Sequence, residues 1–122
     1  MHPDKQATAY EEIKGVLGDS SDLTKEHLTK MSYLKACVKE SQRLTFPTML
    51  GTGRITEFDI VIGGYHIPPG TAVMINMVAM CMDERFFPRP SEYIPERWLR
   101  TTKDDIARGQ DFPFVMLPFG YG

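Results

Sequence analysis

Ser32–Leu44 reads SYLKACVKESQRL, and the fold turns on what its two charged residues Glu40 and Arg43 are doing. Ser32 opens a helix, with Leu34, Cys37, Val38, Ser41 and Leu44 forming an inner stripe at helical spacing. Phe46-Pro47 ends it, because the residue before a proline avoids the helical region. Glu40 and Arg43 are three residues apart, close enough to pair on one helix face. They lie off the apolar stripe, so spacing alone makes them an exposed ion pair worth well under ~1 kcal/mol.

Working outward toward the amino terminus, Pro3 suits a helix first turn. Ala7, Tyr10, Ile13 and Leu17 share one stripe, Glu11, Glu12 and Lys14 mark the exposed face, and Gly18 is the stop. Ser20-Ser21-Asp22 reads as a turn that caps a short helix through His27 and Leu28. In the other direction the pattern changes after Pro47. Arg54-Ile55-Thr56 and Ile60-Val61-Ile62 read as strands, and Gly63-Gly64 is a two-residue hairpin turn into Tyr65-His66-Ile67. Pro68-Pro69-Gly70 turns the chain again before the apolar run Ala72–Ile75. Past Met82 the chain becomes irregular, with Pro88, Pro90 and Pro95 spacing out aromatic residues. The expectation is a helical front, a small sheet in the middle and a long loop at the end. Such a loop has a function or wraps around something, and the whole reads as part of a larger domain.

Bulk composition excludes several classes. The 122 residues are 42% hydrophobic and 25% charged, ordinary for a globular chain. A net charge of −2 offers no basic field to a nucleic acid. No apolar run reaches the ~20 residues of a membrane span. Cys37 and Cys81 lack CxxC spacing and have apolar neighbours, so they read as buried free thiols. His2, His27 and His66 are too scattered for a zinc pattern. The eight methionines read as adaptable core filler or as the lining of a plastic pocket.

Three further stretches carry charge or glycine in suggestive places. Pro95-Glu96-Arg97-Trp98 sets an arginine beside the sole tryptophan, by itself a common surface stacking arrangement. Arg54 follows Gly51-Thr52-Gly53 at the start of a strand, and on its own is a solvated cation. Residues 112–122, FPFVMLPFGYG, run a series of large apolar side chains into a glycine turn. Gly120 and Gly122 are not a phosphate cradle, since no Lys-Ser/Thr follows and no strand-to-helix switch is visible.

Taken in order, Glu40-x-x-Arg43, Pro95-Glu96-Arg97-Trp98 and Phe119-x-x-Gly122 resemble the C-terminal part of a cytochrome P450, a haem-thiolate monooxygenase. In that family helix K carries E-x-x-R, the meander carries Pro-Glu-Arg-aromatic, and the haem loop reads F-x-x-G-x-R-x-C-x-G. GGYHIPPGT, residues 63–71, resembles the family's sheet segment with its I-P-x-G-T turn. The resemblance extends over essentially the whole chain. It implies an α+β, mainly α, fold: a partial cytochrome P450 fold with helices J, J′ and K, a small β-sheet segment, helix K′ and the meander. Within a single domain, 1–46 would be helical, 47–76 the β segment, and 77–122 helix K′, the meander and the start of the haem loop.

The resemblance also implies roles. Glu40, Arg43 and Arg97 would form a buried charge network that locks helix K to the meander and takes no part in turnover. Arg54 would reach a haem propionate, Phe119 would pack beside the cysteine sulfur, and Gly122 would let the backbone pass close to the porphyrin. Thr48, Met49 and Leu50 match a segment that faces substrate, offering an apolar wall suited to a lipophilic molecule. Lys35 and Lys39 match lysines with which mitochondrial members dock a ferredoxin, although by themselves they also read as two solvated side chains. Arg97-Trp98-Leu99 is common in mitochondrial members, whereas microsomal ones more often carry phenylalanine at the position of Trp98.

The axial cysteine is expected beyond Gly122, since neither Cys37 nor Cys81 is placed to replace it. No catalytic residue and no metal ligand is therefore expected among residues 1–122, and the chain alone is expected to be inactive. For the whole protein the resemblance implies heme b, O2, insertion of one oxygen atom into a lipophilic substrate, and electrons from an adrenodoxin-like ferredoxin. It implies no nucleic acid and a peripheral membrane association. The expected location is the matrix side of the mitochondrial inner membrane, with the endoplasmic reticulum membrane as the alternative. The rival from another class is a haem-free ferredoxin-binding or regulatory module.

Overall fold

The computed structural model of the chain describes residues 2–20, 22–45, 53–100, 106, 109 and 111–119. Helix α1 (Pro3–Leu17) places its proline in the first turn, where a missing N–H leaves no bond unmade. It stops at Gly18, whose φ of 54° suits glycine and whose N–H returns to the Lys14 carbonyl at 2.9 Å. Helix α2 (Lys25–Lys30) is capped by Thr24 and not by the Ser20–Asp22 turn. The Thr24 hydroxyl accepts from the His27 N–H at 3.3 Å, and the Thr24 N–H donates to His27 Nδ1 at 3.4 Å. Ser20 instead closes its own turn, its hydroxyl accepting from the Asp22 N–H at 3.2 Å.

Helix α3 (Ser32–Leu44) differs from the sequence expectation in the face it buries. Tyr33, Ala36, Glu40 and Arg43 point inward, while Ser41 is exposed and Val38 keeps 49% of its surface. The buried face is displaced from the apolar stripe by roughly a third of a turn, at ~100° per residue. The stripe misleads because two of the inward residues are charged and bury only by pairing with groups remote in sequence. Phe46 and Pro47, expected to end the helix, lie outside the described residues.

The start of α3 is held from outside. Met31 occupies its cap position and has no side-chain acceptor. Glu12 of α1 supplies one instead: Oε1 accepts from the Tyr33 N–H at 2.8 Å and the Ser32 hydroxyl at 3.1 Å, and Oε2 from the Leu34 N–H at 2.8 Å. The expectation that Glu12 belongs to the solvated face of α1 is therefore corrected. A carboxylate at a helix N-terminus satisfies orphan donors and sits at the positive end of the dipole. Glu12→Ala in the whole protein is expected to lower the unfolding free energy by about 1–2 kcal/mol, read as an earlier denaturant midpoint. Glu12→Gln should lose less, because an amide oxygen still accepts.

Four short strands follow among the described residues. β1 (Arg54–Ile55) pairs antiparallel with β4 (Ala72–Val73), and β2 (Ile60–Ile62) pairs with β3 (Tyr65–Ile67) in the register Ile60↔Ile67, Val61↔His66, Ile62↔Tyr65. These are two separate two-stranded ladders, where one small sheet was expected. Thr56 falls outside β1 because it stitches a turn. Its hydroxyl donates to the Pro68 carbonyl at 2.7 Å and accepts from the Thr71 N–H at 3.1 Å. The hairpin turn needs glycine: Gly63 and Gly64 have φ of 58° and 86°.

Helix α4 (Met77–Cys81) is capped by the Asn76 side chain, which accepts from the Ala79 N–H at 3.0 Å. Its Met77 and Cys81 meet Phe87 and Val115 in the core, with Trp98, Phe86 and Met116 packed around them. Met31 and Met77 are buried, whereas Met74 and Met82 are exposed, so the methionines are only in part core filler. Both cysteines are free; Cys81 is fully buried and Cys37 half-buried. Burial pushes the Cys81 thiol up to about 11. Pro95–Trp98 is a 3-10 turn, so the tail is more ordered there than its proline spacing suggests. Among the described residues no helix is long and apolar enough to cross a membrane.

Candidate functional site

Among the described residues one fully buried carboxylate, that of Glu40, organises the structure. Glu40 and Arg43 have no exposed surface and Arg97 has 1%. Glu40 Oε1 accepts from Arg43 Nη2 at 2.9 Å, from the Ile94 N–H at 3.0 Å and from Arg97 Nε at 3.1 Å. Oε2 accepts from Arg43 Nε at 3.0 Å and from the Trp98 indole N–H at 2.9 Å. Donors on α3, on the 3-10 turn and on Ile94 just before it thus saturate both oxygens. Arg43 grips with the two-nitrogen fork that lysine lacks.

Two guanidiniums against one carboxylate leave an excess positive charge, and backbone carbonyls absorb it. Arg43 donates to the carbonyls of Cys81 at 2.8 Å and Glu92 at 3.0 Å. Arg97 donates to the carbonyls of Arg89 at 2.8 Å and Ile106 at 3.4 Å. The Arg43 guanidinium also lies 5.3 Å from the centroid of the Phe87 ring. Burial opposes ionisation of Glu40, but the hydrogen bonds from Arg43, the Ile94 N–H and Trp98 outweigh it and hold the carboxyl below the usual range. Burial also lowers the Arg97 guanidinium from its ordinary value, against the pull of Glu40. Among the described residues the assembly presents no nucleophile, general base or open face. It fastens α3 to the 3-10 turn and to the carbonyls at 89 and 106.

A second polar cluster lies one residue away. Glu96 Oε1 accepts from Tyr33 Oη and from Lys5 Nζ, both at 2.9 Å, joining α1, α3 and the 3-10 turn. Burial opposes ionisation of Glu96, but Lys5 and Tyr33 bring its carboxyl below the usual range. Burial and then the Glu96 carboxylate raise the Tyr33 phenol well above its ordinary value. Sequence reasoning misses Tyr33, Lys5 and Glu12, and gives Trp98 no bond to Glu40. Lys5 lies 91 residues from Glu96 and Trp98 lies 58 from Glu40, separations that no local periodicity registers.

The remaining expected site residues are scattered. Arg54 is exposed on β1, and its Nη1 donates to the Gly53 carbonyl at 3.3 Å. Phe119 keeps 81% of its surface. Gly122, Thr48, Met49 and Leu50 lie outside the described residues. Lys35 and Lys39 are exposed on α3. Lys35 Nζ donates to the Thr29 carbonyl at 2.9 Å, and Lys39 Nζ sits 5.4 Å from the centroid of the Trp98 ring. Both border a surface depression of about 560 Å³ that also touches Arg100. Among the described residues no group of three His, Cys, Asp or Glu side chains gathers to hold a metal ion.

Known proteins resemble this chain along its length. The family model described as Cytochrome P450 matches residues 1–122. The chain is 41% identical over 128 residues to "Probable cytochrome P450 12a5, mitochondrial" of Drosophila melanogaster, covering 99% of this chain and 24% of that relative. It is 40% identical to "Cytochrome P450 CYP12A2" of Musca domestica over 129 residues, with the same two coverages. It is 43% identical to "Probable cytochrome P450 12e1, mitochondrial" of Drosophila melanogaster over 123 residues, 98% of this chain and 23% of the relative. The chain spans about a quarter of the length of the curated relatives it matches. A family match that runs the length of the chain, with relatives about 40% identical along it, leads to one conclusion: the chain belongs to the cytochrome P450 family.

Proposed function

We propose that residues 1–122 form the scaffold that braces the haem pocket of a mitochondrial-type monooxygenase. The whole protein inserts one atom of O2 into a lipophilic substrate. The observation that carries this reading is the fully buried Glu40–Arg43–Arg97 network, which ties α3 to the segment leading toward residues 112–119. On this reading α1, α2 and α3 are helices J, J′ and K, α4 is helix K′, and residues from 82 onward are the meander and the start of the haem loop.

The residues present suit a haem at the edge of this segment and not on its own cysteines. Arg54 is an exposed guanidinium able to meet a propionate, and Phe119 offers an exposed aromatic face. Cys81 does not suit a thiolate ligand, because it is enclosed in the core with its thiol pushed up to about 11. Cys37 lies within α3, its backbone carbonyl accepting from Tyr93 Oη at 3.1 Å. On this reading neither cysteine serves as the axial ligand, and residues 1–122 alone would hold no thiolate for the iron and would be inactive. Bound haem supplies O2 activation, and a thiolate on its iron favours O–O cleavage. This segment's part is positioning. Thr48, Met49 and Leu50 would face the substrate, and Gly122 would let the backbone pass the porphyrin.

The names of the relatives favour a mitochondrial location and, with it, an adrenodoxin-like ferredoxin as electron donor. Exposed Lys35 and Lys39, one turn apart, suit an acidic partner by steering and complementarity. Lys35→Gln/Lys39→Gln is expected to raise the ferredoxin concentration for half-maximal turnover about tenfold at low salt, with a smaller penalty at high salt. Unchanged kinetics would leave the two lysines with only their contacts to the Thr29 carbonyl and the Trp98 ring. The haem-thiolate reading is tested by the carbon monoxide difference spectrum of the purified whole protein, which should be that of a thiolate-ligated haem. A protein that binds ferredoxin yet takes up no haem would instead support a regulatory module.

A further inference from the structure

Lys39 and Trp98 connect the exposed surface of α3 to its buried network, and nothing about either residue alone reveals the link. The Trp98 indole N–H donates to Glu40 Oε2 at 2.9 Å, so the carboxylate that holds both arginines also fixes the plane of the ring. Phe87 supports the ring from the core side, its centroid 5.9 Å away at a tilt of 48°. On the outer side the Lys39 ammonium lies over the ring, 5.4 Å from its centroid. Tryptophan is the strongest of the aromatic faces for a cation. A lysine otherwise sweeps a wide volume on a flexible four-carbon stem. Here the ammonium rests against a fixed plate, and the charge is presented at one place on the rim of the depression shared with Lys35 and Arg100.

We infer that Trp98 is a positioning residue for electron-donor docking: it holds the Lys39 ammonium at a defined point, and Glu40 in turn holds Trp98. This inference rests on the reading of Lys39 as a ferredoxin contact. Its physical basis is preorganisation. A side chain already held in its bound position loses less freedom on association. Lysine loses more than most, since its free rotamer entropy is large. The indole N–H matters as much as the ring face, because without it Glu40 loses a donor and the ring loses its anchor.

A double-mutant cycle tests it, with affinity for an acidic adrenodoxin-type ferredoxin measured on the haem-loaded whole protein. Lys39→Gln should weaken binding about three- to tenfold, as expected for one desolvated charge contact. Trp98→Phe, which keeps a smaller face and removes the N–H, should weaken it about two- to fourfold when Lys39 is present. In the Lys39→Gln background Trp98→Phe should have no further effect. An equal loss in both backgrounds would mean that Trp98 acts only through general structure, and the inference would fall while the docking role of Lys39 stood. No effect of Lys39→Gln would overturn the docking reading itself.

A second measurement needs no change at Trp98. Reductive methylation with labelled formaldehyde gives each lysine an NMR signal, and the signal lost in Lys39→Gln identifies residue 39. That signal should lie upfield of the exposed lysines, in the ring current of Trp98, and should shift on addition of ferredoxin. A signal at the position of a free lysine overturns the inference.

Discussion

Glu40→Ala in the whole protein is expected to abolish haem incorporation, with no thiolate-haem spectrum recovered. The reason is the asymmetry of the network. Glu40 is the carboxylate that Arg43 and Arg97 share, and each guanidinium bonds it directly. Without it, two like charges with at most 1% of their surface exposed lose the anion between them. Stranding one buried charge costs about 3–5 kcal/mol. That alone approaches the whole stability of many domains, about 5–15 kcal/mol. The Ile94 N–H and the Trp98 indole N–H lose their acceptor in the same step. Glu40→Gln should do nearly as badly, since its amide nitrogen would face a donor and the carboxylate charge is gone. Haem content normal for the wild type in either variant would sink the scaffold role assigned to this carboxylate.

Arg97→Lys should destabilise without abolishing folding, by about 2–3 kcal/mol in denaturant unfolding, with partial haem content. The charge survives, but an ammonium cannot reproduce a fork that bonds Glu40 through Nε and the carbonyls of Arg89 and Ile106 through its other nitrogens. Arg97→Met should be worse, because those carbonyls then lose this donor altogether. It should still be milder than Glu40→Ala, since Glu40 and Arg43 remain as a neutral pair. The ranking Glu40→Ala, then Arg97→Met, then Arg97→Lys follows from charge balance and from donor count. An Arg97→Lys protein with wild-type stability would show that the fork geometry contributes nothing.

Much of the local structure is legible in residues close together. α1 begins at Pro3 and ends at Gly18, and β2 and β3 flank Gly63-Gly64 as the strand pattern predicts. The causes act within a few residues: a missing N–H, a positive φ, an alternation. Sequence alone puts the cap of α2 on Ser20–Asp22 because several hydroxyl and carboxylate side chains crowd there, and only hydrogen-bond geometry selects Thr24. The cap of α3 is not legible at all, since its acceptor, Glu12, belongs to another helix.

The order of three short motifs carries family membership, which needs only residue identities and spacing. Which side of α3 turns inward is a different kind of fact. Apolar periodicity favours the face of Val38 and Ser41, because burying an unpaired Glu40 or Arg43 is prohibitive. The folded chain reverses that preference by delivering the Ile94 N–H, Arg97 and Trp98 to Glu40 from 54, 57 and 58 residues away. The sequence by itself determined where the helices and the hairpin lie and which charges stand ready. Only the tertiary structure decided how the charge network that the resemblance implies is satisfied, with the Ile94 and Trp98 donors completing it, because a buried carboxylate is stable once its donors have arrived and not before.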